Sequence, residues 1–480
     1  MASPTAPRRS LFHHPNYARL WTAATVSLFG TQVSQIAIPF IAAVVLNASA
    51  GQVGLLTTIE FLPFLLFALP AGVWVDRFPK KRILVIGDLG RAVMLLSIPI
   101  AYALGGLTIW QLYVVGFVNG VMTVFFDVAD QSYLPTILER TELVEGNAKL
   151  QISQSSAQIL GQPVGGGLVA LVSAPAAVLV DAVSYLGSAG LILSIREKAK
   201  VAAAAIRGSS PPAAVPATEA DEVVPGSFAG TSIDVETAAE RSRLDPAAQA
   251  DVEQAHVGAG ALDGPDGMRQ QIADGLRYIL QHEYLANIAA TTATSNLASN
   301  IAFAIFPVYV YKVLLLTPAA VGTMGGLGGA GVLLGALVAN RIQARLGIGR
   351  TIIVAAATFG PISLLVPLAT PEQAFWLLSA SLFLGSVNNV VYNVAQVSLR
   401  QAITPEHFLG RMNATMRFLV WGTIPIGSLI GAGLSEVIGV RATVWVGSLL
   451  ALFTFLPVFF SPVRHIRTIP SEPPEASAAA

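Results

Sequence analysis

No cysteine occurs in the 480 residues, which excludes disulfides, thiolate metal sites and a cysteine nucleophile. Charge is scarce as well. Asp, Glu, Lys and Arg make up 12% of the chain, against roughly 25% in an ordinary soluble domain. The 28 bases are balanced by 28 acids, so no net field draws in nucleic acid, and the placement of the charges matters more than their sum. A phosphate-binding G-x-x-x-x-G-K-[ST] is also missing, which argues against direct coupling to ATP. The opening MASPTAPRRSLFHHPNYARL lacks the short apolar core and small-residue cleavage site of a secretory signal. Residues 1–16 read instead as a cytoplasmic leader. The pair His13-His14 in it is isolated, and neither a metal nor another cofactor is expected.

What is there is apolar. Hydrophobic residues form 54% of the chain, in runs long enough to cross a bilayer, which takes about 20 residues per helix. Twelve such runs fall near 17–46, 52–75, 82–104, 107–127, 150–173, 175–195, 284–311, 318–340, 350–369, 372–395, 412–438 and 441–461. The pattern predicts an all-α membrane protein of twelve transmembrane helices, one six-helix bundle over 17–196 and a second over 284–461, expected to work as a monomer in the lipid bilayer. With both termini inside, the inner connections contain Arg77, Lys80, Lys81, Arg82, Arg140, Lys149, Arg341, Arg345, Arg350, Arg400 and Arg411, and the outer ones only Lys312 and Arg441. That asymmetry orients the chain with both termini in the cytoplasm.

Between the bundles, residues 197–268 are rich in Ala, Pro, Gly and Ser and carry many acids against few bases. Such a stretch buries too little apolar surface to offset its chain entropy, and reads as a disordered cytoplasmic linker. Residues 269–283 follow, with Ile272, Leu276 and Ile279 at helical spacing, as expected of an amphipathic surface helix. Residues 462–480 form a C-terminal tail. Asn47-Ala-Ser fits a glycosylation pattern but sits against the membrane in a very short outer loop.

The two bundles also resemble each other. Shifted by 266 positions, DVADQSYLPTILERTELVEGNA (127–148) falls on NVAQVSLRQAITPEHFLGRMNA (393–414), and Gly161, Gly165 and Gly167 fall on Gly427, Gly431 and Gly433. A shift of 268 lays AGVWVDRFPKKR over ANRIQARLGIGR. Two similar halves can rock about a cavity near the membrane midplane and open it to one side at a time.

The stretch Gly72-Val-Trp-Val-Asp76-Arg77-Phe-Pro-Lys80-Lys81-Arg82 resembles the G-x-x-x-D-R-x-x-R-R loop between the second and third helices of the major facilitator superfamily. With VFFDVADQSYLPTILERTELVEGNAKL, the chain is similar to that superfamily's branch of drug, macrolide and siderophore exporters. The resemblance implies a cytoplasmic gate: Asp76 faces the N-terminal end of the eleventh helix, near Arg411 and Arg417, and holds the inner side closed through charge and helix dipole. The bases of the loop also fit the positive-inside rule. Gly161-Gln-Pro163-Val-Gly165-Gly166-Gly167 resembles the antiporter motif G-P-x-x-G-G with its proline displaced by one. Close helix packing accounts for these glycines equally well.

Ionisable groups inside spans are costly and mark function by default. Glu60 lies about 12 Å from the outer end of the second span at 1.5 Å per residue, with no base near it in sequence. It is a candidate to bind and release a proton, or to hydrogen-bond inside the bundle. Asp181 in the sixth span is the second such candidate. Asp88 and Arg91, three apart on the third span, share a face and fit an inner ion network with Asp127 or Asp130. For a cavity between the halves, the polar candidates are Gln32, Gln35, Asn119, Gln158, Asn296, Asn300, Asn388, Asn389 and Tyr392. Amides and aromatic surface suit a neutral or cationic amphiphile, and each is also a plausible interhelical hydrogen bond. These features lead to the expectation of a non-enzymatic secondary transporter in the cytoplasmic membrane, exporting a small molecule against protons. A nutrient symporter and a transport-inactive scaffold or sensor are the alternatives.

Overall fold

The computed structural model describes residues 11–138, 142–195 and 276–467. The linker 197–268, the first part of the expected surface helix (269–275) and the outer parts of both tails lie outside the described residues. Of the surface helix, residues 276–281 are helical.

Backbone N–H and C=O groups have no water to bond within lipid, so a spanning segment must satisfy them internally. The described residues accordingly form helices and connecting turns. The first half comprises α1 (Pro15–Phe40), α2 (Ala50–Arg77), α3 (Lys80–Ala103) and α4 (Ile109–Ile137). Helix α5 runs from Leu143–Ser156 through a π turn, Ala157–Gly161, into Gln162–Leu171, and α6 is Ala174–Leu193. The second half comprises α7 (Glu283–Phe303), α8 (Pro318–Leu346), α9 (Ile348–Ser363), α10 (Ala374–Ile403), α11 (Glu406–Ile438) and α12 (Val440–Ala451). With the turns that carry α1, α7, α9 and α12 on to Val45, Val313, Leu368 and Phe460, eleven of these segments are long and apolar enough to cross a membrane. The broken α5 is the twelfth.

Several helices outrun the apolar runs that define them. Helix α4 continues to Ile137, α8 to Leu346 and α10 to Ile403, while α11 begins at Glu406. Hydropathy marks where the hydrocarbon ends; a helix needs only unbroken hydrogen bonds and continues into the polar zone. Arg400, expected in a connection, is therefore inside α10.

The repeat is visible in the backbone. Pro39 near the end of α1 precedes a π turn at Ile41–Val45, and Pro307 precedes another at Tyr309–Val313. Proline frees a carbonyl one turn back and favours such a local rewinding. Asn47 and Leu315 then take left-handed φ values of 50° and 54°. Ser49 and Thr317 cap α2 and α8 by accepting from the N–H groups of Gln52 and Ala320. Every pair in this series is 268 residues apart.

Apolar burial gives little drive between helices in lipid, so close approach through small residues takes its place. A Cβ at Gly161 would stand 2.9 Å from the Gln32 Cβ, and one at Gly165 2.9 Å from the Val33 Cα, which joins α5 to α1. In the second half, a Cβ at Gly427 would stand 2.9 Å from the Asn300 Cβ, and one at Gly431 3.1 Å from the Ile301 Cα, joining α11 to α7. The halves meet along two seams. On one, Gly166 of α5 lies against Gly322 of α8, where an added Cβ would be 3.0 Å from the facing Cα. On the other, Gly54 of α2 lies against Ala432 of α11, where an added Cβ would be 2.8 Å from the facing Cβ.

The turns at 77–80 and 346–348 gather Arg77, Lys80, Lys81, Arg82, Arg345 and Arg350 at one end of the bundle, the basic end. The opposite, neutral end holds the turns at 46–49, 172–173, 314–317 and 439. The seam contacts of Gly54 and Gly166 lie toward the neutral end.

Candidate functional site

The first half encloses a polar cluster built from α1, α3, α4 and α6. Asp88 and Arg91 stand one turn apart on α3 and form an ion pair that is closed off from solvent. The guanidinium of Arg91 lies between two rings, 4.2 Å from the centroid of Phe126 on α4 and 4.3 Å from that of Tyr185 on α6. Its flat, weakly hydrated cation suits such a sandwich better than an ammonium would. The Tyr185 hydroxyl is 2.9 Å from Thr31 Oγ1 on α1. One turn earlier on α6, Asp181 is 1% exposed and accepts from Ser184 Oγ at 3.2 Å. Gly30 admits this contact, since a Cβ there would stand 2.8 Å from Asp181 Oδ1.

The hydroxyls of Ser34 and Ser188 adjoin Asp181 and Asp88, and Asp88 Oδ2 and Arg91 Nε are buried with no partner among the described residues. Asp127 and Asp130 of α4 act electrostatically on the same group, Asp127 on Arg91 and Asp130 on both Asp88 and Arg91. The structure thus joins two sets that the sequence kept apart. Asp181 shares the field of Arg91 with Asp88, Asp127 and Asp130.

Glu60 is separate from this cluster. It is half-buried on α2, with its stem against α4 at Gly116, where a Cβ would be 2.9 Å from Glu60 Cγ. Among the described residues its carboxyl has neither a hydrogen bond nor an ion pair. Asp181 is anchored by a serine, whereas Glu60 is held by packing alone.

The cavity candidates divide by what their polar atoms already do. Gln32 is buried, its Oε1 without a partner among the described residues. It rests on Gly161, and Asn300 rests on Gly427 in the matching place of the other half. Asn119 is half-buried, its Oδ1 closed off with no partner among the described residues. Gln158 sits in the π turn of α5, its backbone against Gly329 of α8. Asn296 and Asn300 donate to the carbonyls of Thr292 and Asn296 at 3.0 and 2.8 Å. Asn388 accepts from Thr358 and donates to the Ala355 carbonyl, both at 2.8 Å, tying α10 to α9. Tyr392 is buried, its hydroxyl 2.8 Å from Thr292 Oγ1 on α7. Gln35 and Asn389 are exposed.

Of the gate residues, Arg77, Arg82 and Asp127 are exposed. The backbone puts Asp76 in the last turn of α2 and Arg411 and Arg417 in the first turns of α11. The side chains of Gly72, Asp76, Arg411 and Arg417 lie outside what is described. Pro163 packs against Gly326 of α8, so the displaced proline lies at the seam between the halves.

One arrangement was missed in the sequence. Arg400 is buried near the basic end of α10, donating from Nη1 to Gln396 Oε1 at 3.1 Å and from Nη2 to Asn413 Oδ1 at 3.3 Å. Gln396 in turn donates to Asn393, and Asn393 to Asn389. The spacing of 389, 393, 396 and 400 places these groups on one helix face, a signal available from the residue numbers alone.

The model of the Major Facilitator Superfamily matches residues 20–277 and 288–479. With this helix pairing and the duplicated halves, the chain belongs to the major facilitator superfamily, a family of membrane transporters. Among its relatives, the multidrug efflux pump Tap of Mycobacterium tuberculosis is 23% identical over 433 residues, covering 88% of this chain and 87% of that protein. Macrolide efflux protein A of Streptococcus pyogenes is 27% identical over 34% of this chain and 40% of its own length. The uncharacterized MFS-type transporter YfiS of Bacillus subtilis is 27% identical over 36% of this chain and 39% of its own length. The matches to YfiS and macrolide efflux protein A thus span about two fifths of those relatives. A bacterial homologue of the iron transporter ferroportin shares the fold with a TM-score of 0.67 at 13% identity, covering 94% of this chain and 99% of that one.

Proposed function

We propose that this transporter exports an amphipathic small molecule of drug, macrolide or siderophore type in exchange for protons, by alternating access between its two halves. The basic end faces the cytoplasm in this reading, with both termini on that side, and residues 197–268 tether the halves there. The observation that carries it is Glu60, a carboxyl inside a span with no hydrogen bond or ion pair among the described residues. A carboxyl in that setting favours its neutral form and can take up and release a proton as access alternates. Asp181, already bonded to Ser184, is the second candidate. Gln32, Asn119, Gln158 and Asn300 supply amides for a neutral or cationic substrate, and Asn388 and Tyr392 hold the second half together. Asp76 closes the cytoplasmic side against the start of α11.

The test is substrate-dependent proton movement in proteoliposomes, with a panel of cationic dyes, macrolides and siderophores, for the native chain, Glu60→Gln and Asp181→Asn. Export with opposed proton flux, lost in Glu60→Gln while binding persists, supports the reading. Coupled flux unchanged in Glu60→Gln and lost in Asp181→Asn transfers the role to Asp181. Protons moving with the substrate identify a symporter instead.

A further inference from the structure

The neutral end carries contacts that glycine packing does not require. Glu436, in the last turn of α11, accepts the Gly51 backbone N–H through Oε1 at 2.7 Å, and the Ser49 hydroxyl lies beside the same carboxylate. From the end of α7's π turn, Lys312 Nζ donates to Asn47 Oδ1 at 2.7 Å and to the Ala48 carbonyl at 2.9 Å. Residues 47–51 therefore receive an acid and a base from the other half. Each meets the matching partial charge: the acid takes a free N–H in the first turn of α2, where the helix dipole is positive, and the base takes carbonyl oxygens. The left-handed φ of 50° at Asn47 shapes the turn that presents them.

The duplicated seam has no such pair. At offsets of 266 and 268, Glu436 corresponds to Ala170, Lys312 to Val44 and Asn47 to Leu315. The seam of α5 and α8 closes on the glycines of α8 packed against Ile159, Gln162, Pro163 and Gly166, and among the described residues this acid and base of the neutral end lie where α2 meets the other half. Helices α2 and α11 run antiparallel, since Gly51, Gly54 and Leu65 face Glu436, Ala432 and Gly422 in turn. Glu436, in the last turn of α11, thus lies beside the start of α2.

We infer that Glu436 and Lys312 form a latch that holds the neutral end of the transporter shut and sets how often the cavity opens there. The inference rests on the alternating-access reading, and its test needs no transported substrate. The chain's lack of cysteine allows a single reporter, Ser428→Cys. Ser428 is fully buried, one turn along α11 from Ala432 and on the same face. Its alkylation by a membrane-impermeant maleimide applied from the neutral end reads opening of the seam. Losing a charged hydrogen bond and a helix-end charge is expected to raise the labelling rate about fivefold to tenfold in Glu436→Ala, with a similar rise in Lys312→Ala. Glu436→Gln, which keeps an acceptor of the same length, falls between native and alanine. Removing Glu372, an exposed acid in another turn at this end, changes nothing. Rates equal to native in both alanine variants overturn the latch. If Gly166→Ala, a wedge at the other seam, still raises labelling, the latch alone has failed; if it does not, the alternating-access reading has failed too.

Discussion

A methyl group at Gly166 should separate the halves at the neutral end, and its effect can be worked from the contacts. The added Cβ would fall inside contact distance of the Pro318 carbonyl oxygen and 3.0 Å from the Gly322 Cα. Both are backbone atoms of α8, which no rotamer change can move aside. Overpacking of this kind costs about 1–3 kcal/mol. The cost falls only on the state in which the halves touch, so it acts as a differential free energy between closed and open. At about 1.4 kcal/mol per tenfold, Gly166→Ala should raise the open population at the neutral end by roughly 5- to 150-fold. Gly167 supplies the control, since a Cβ there meets nothing within 4 Å. The assay is maleimide labelling of Ser428→Cys, a reporter on the other seam, so the signal appears only if the halves move as bodies. Equal labelling in Gly166→Ala, Gly167→Ala and the native background would refute the reasoning.

Arg91→Ala strands Asp88 and its neighbouring acids in the core and should destabilise the folded protein by about 3–5 kcal/mol, seen as a lower Tm in detergent. Arg91→Lys should rescue only part of this, because an ammonium cannot fill the slot between Phe126 and Tyr185 as a flat guanidinium does; full rescue would mean that charge alone matters there. Tyr392→Phe removes one hydrogen bond, to Thr292, and should cost about 1 kcal/mol of stability while leaving substrate preference unchanged. An altered preference would return Tyr392 to the cavity. Deleting residues 200–265 should leave transport intact if they are a tether, and a loss of transport would assign the linker a part in the cycle.

The helices were legible because lipid imposes a length and forbids unpaired backbone, and both constraints are written in apolar runs. Where the constraint lapses, the reading fell short: α4, α8, α10 and α11 continue past the hydrocarbon. That is why Arg400 appeared to belong to a loop. The repeat was legible through Gly161, Gly165 and their counterparts, although their reason, backbone contact with Val33 and Ile301, needs three dimensions. The site was harder. Asp88 and Arg91 share a helix and could be paired from their spacing, whereas Phe126 and Tyr185, which complete the sandwich, come from two other helices. Glu436 is a lone acid at a helix end, and nothing in its local sequence says that the first turn of α2 lies opposite.

The claim that the halves must part for transport is tested most directly by tying them together. A Cβ at Gly51 would stand 2.8 Å from Glu436 Cγ, the place a cysteine sulfur at 436 would take and within reach of a disulfide. In the otherwise cysteine-free Gly51→Cys/Glu436→Cys protein, dye and macrolide efflux should stop on oxidation and return on reduction. Efflux that continues at the reduced rate in fully cross-linked protein would contradict alternating access through this seam.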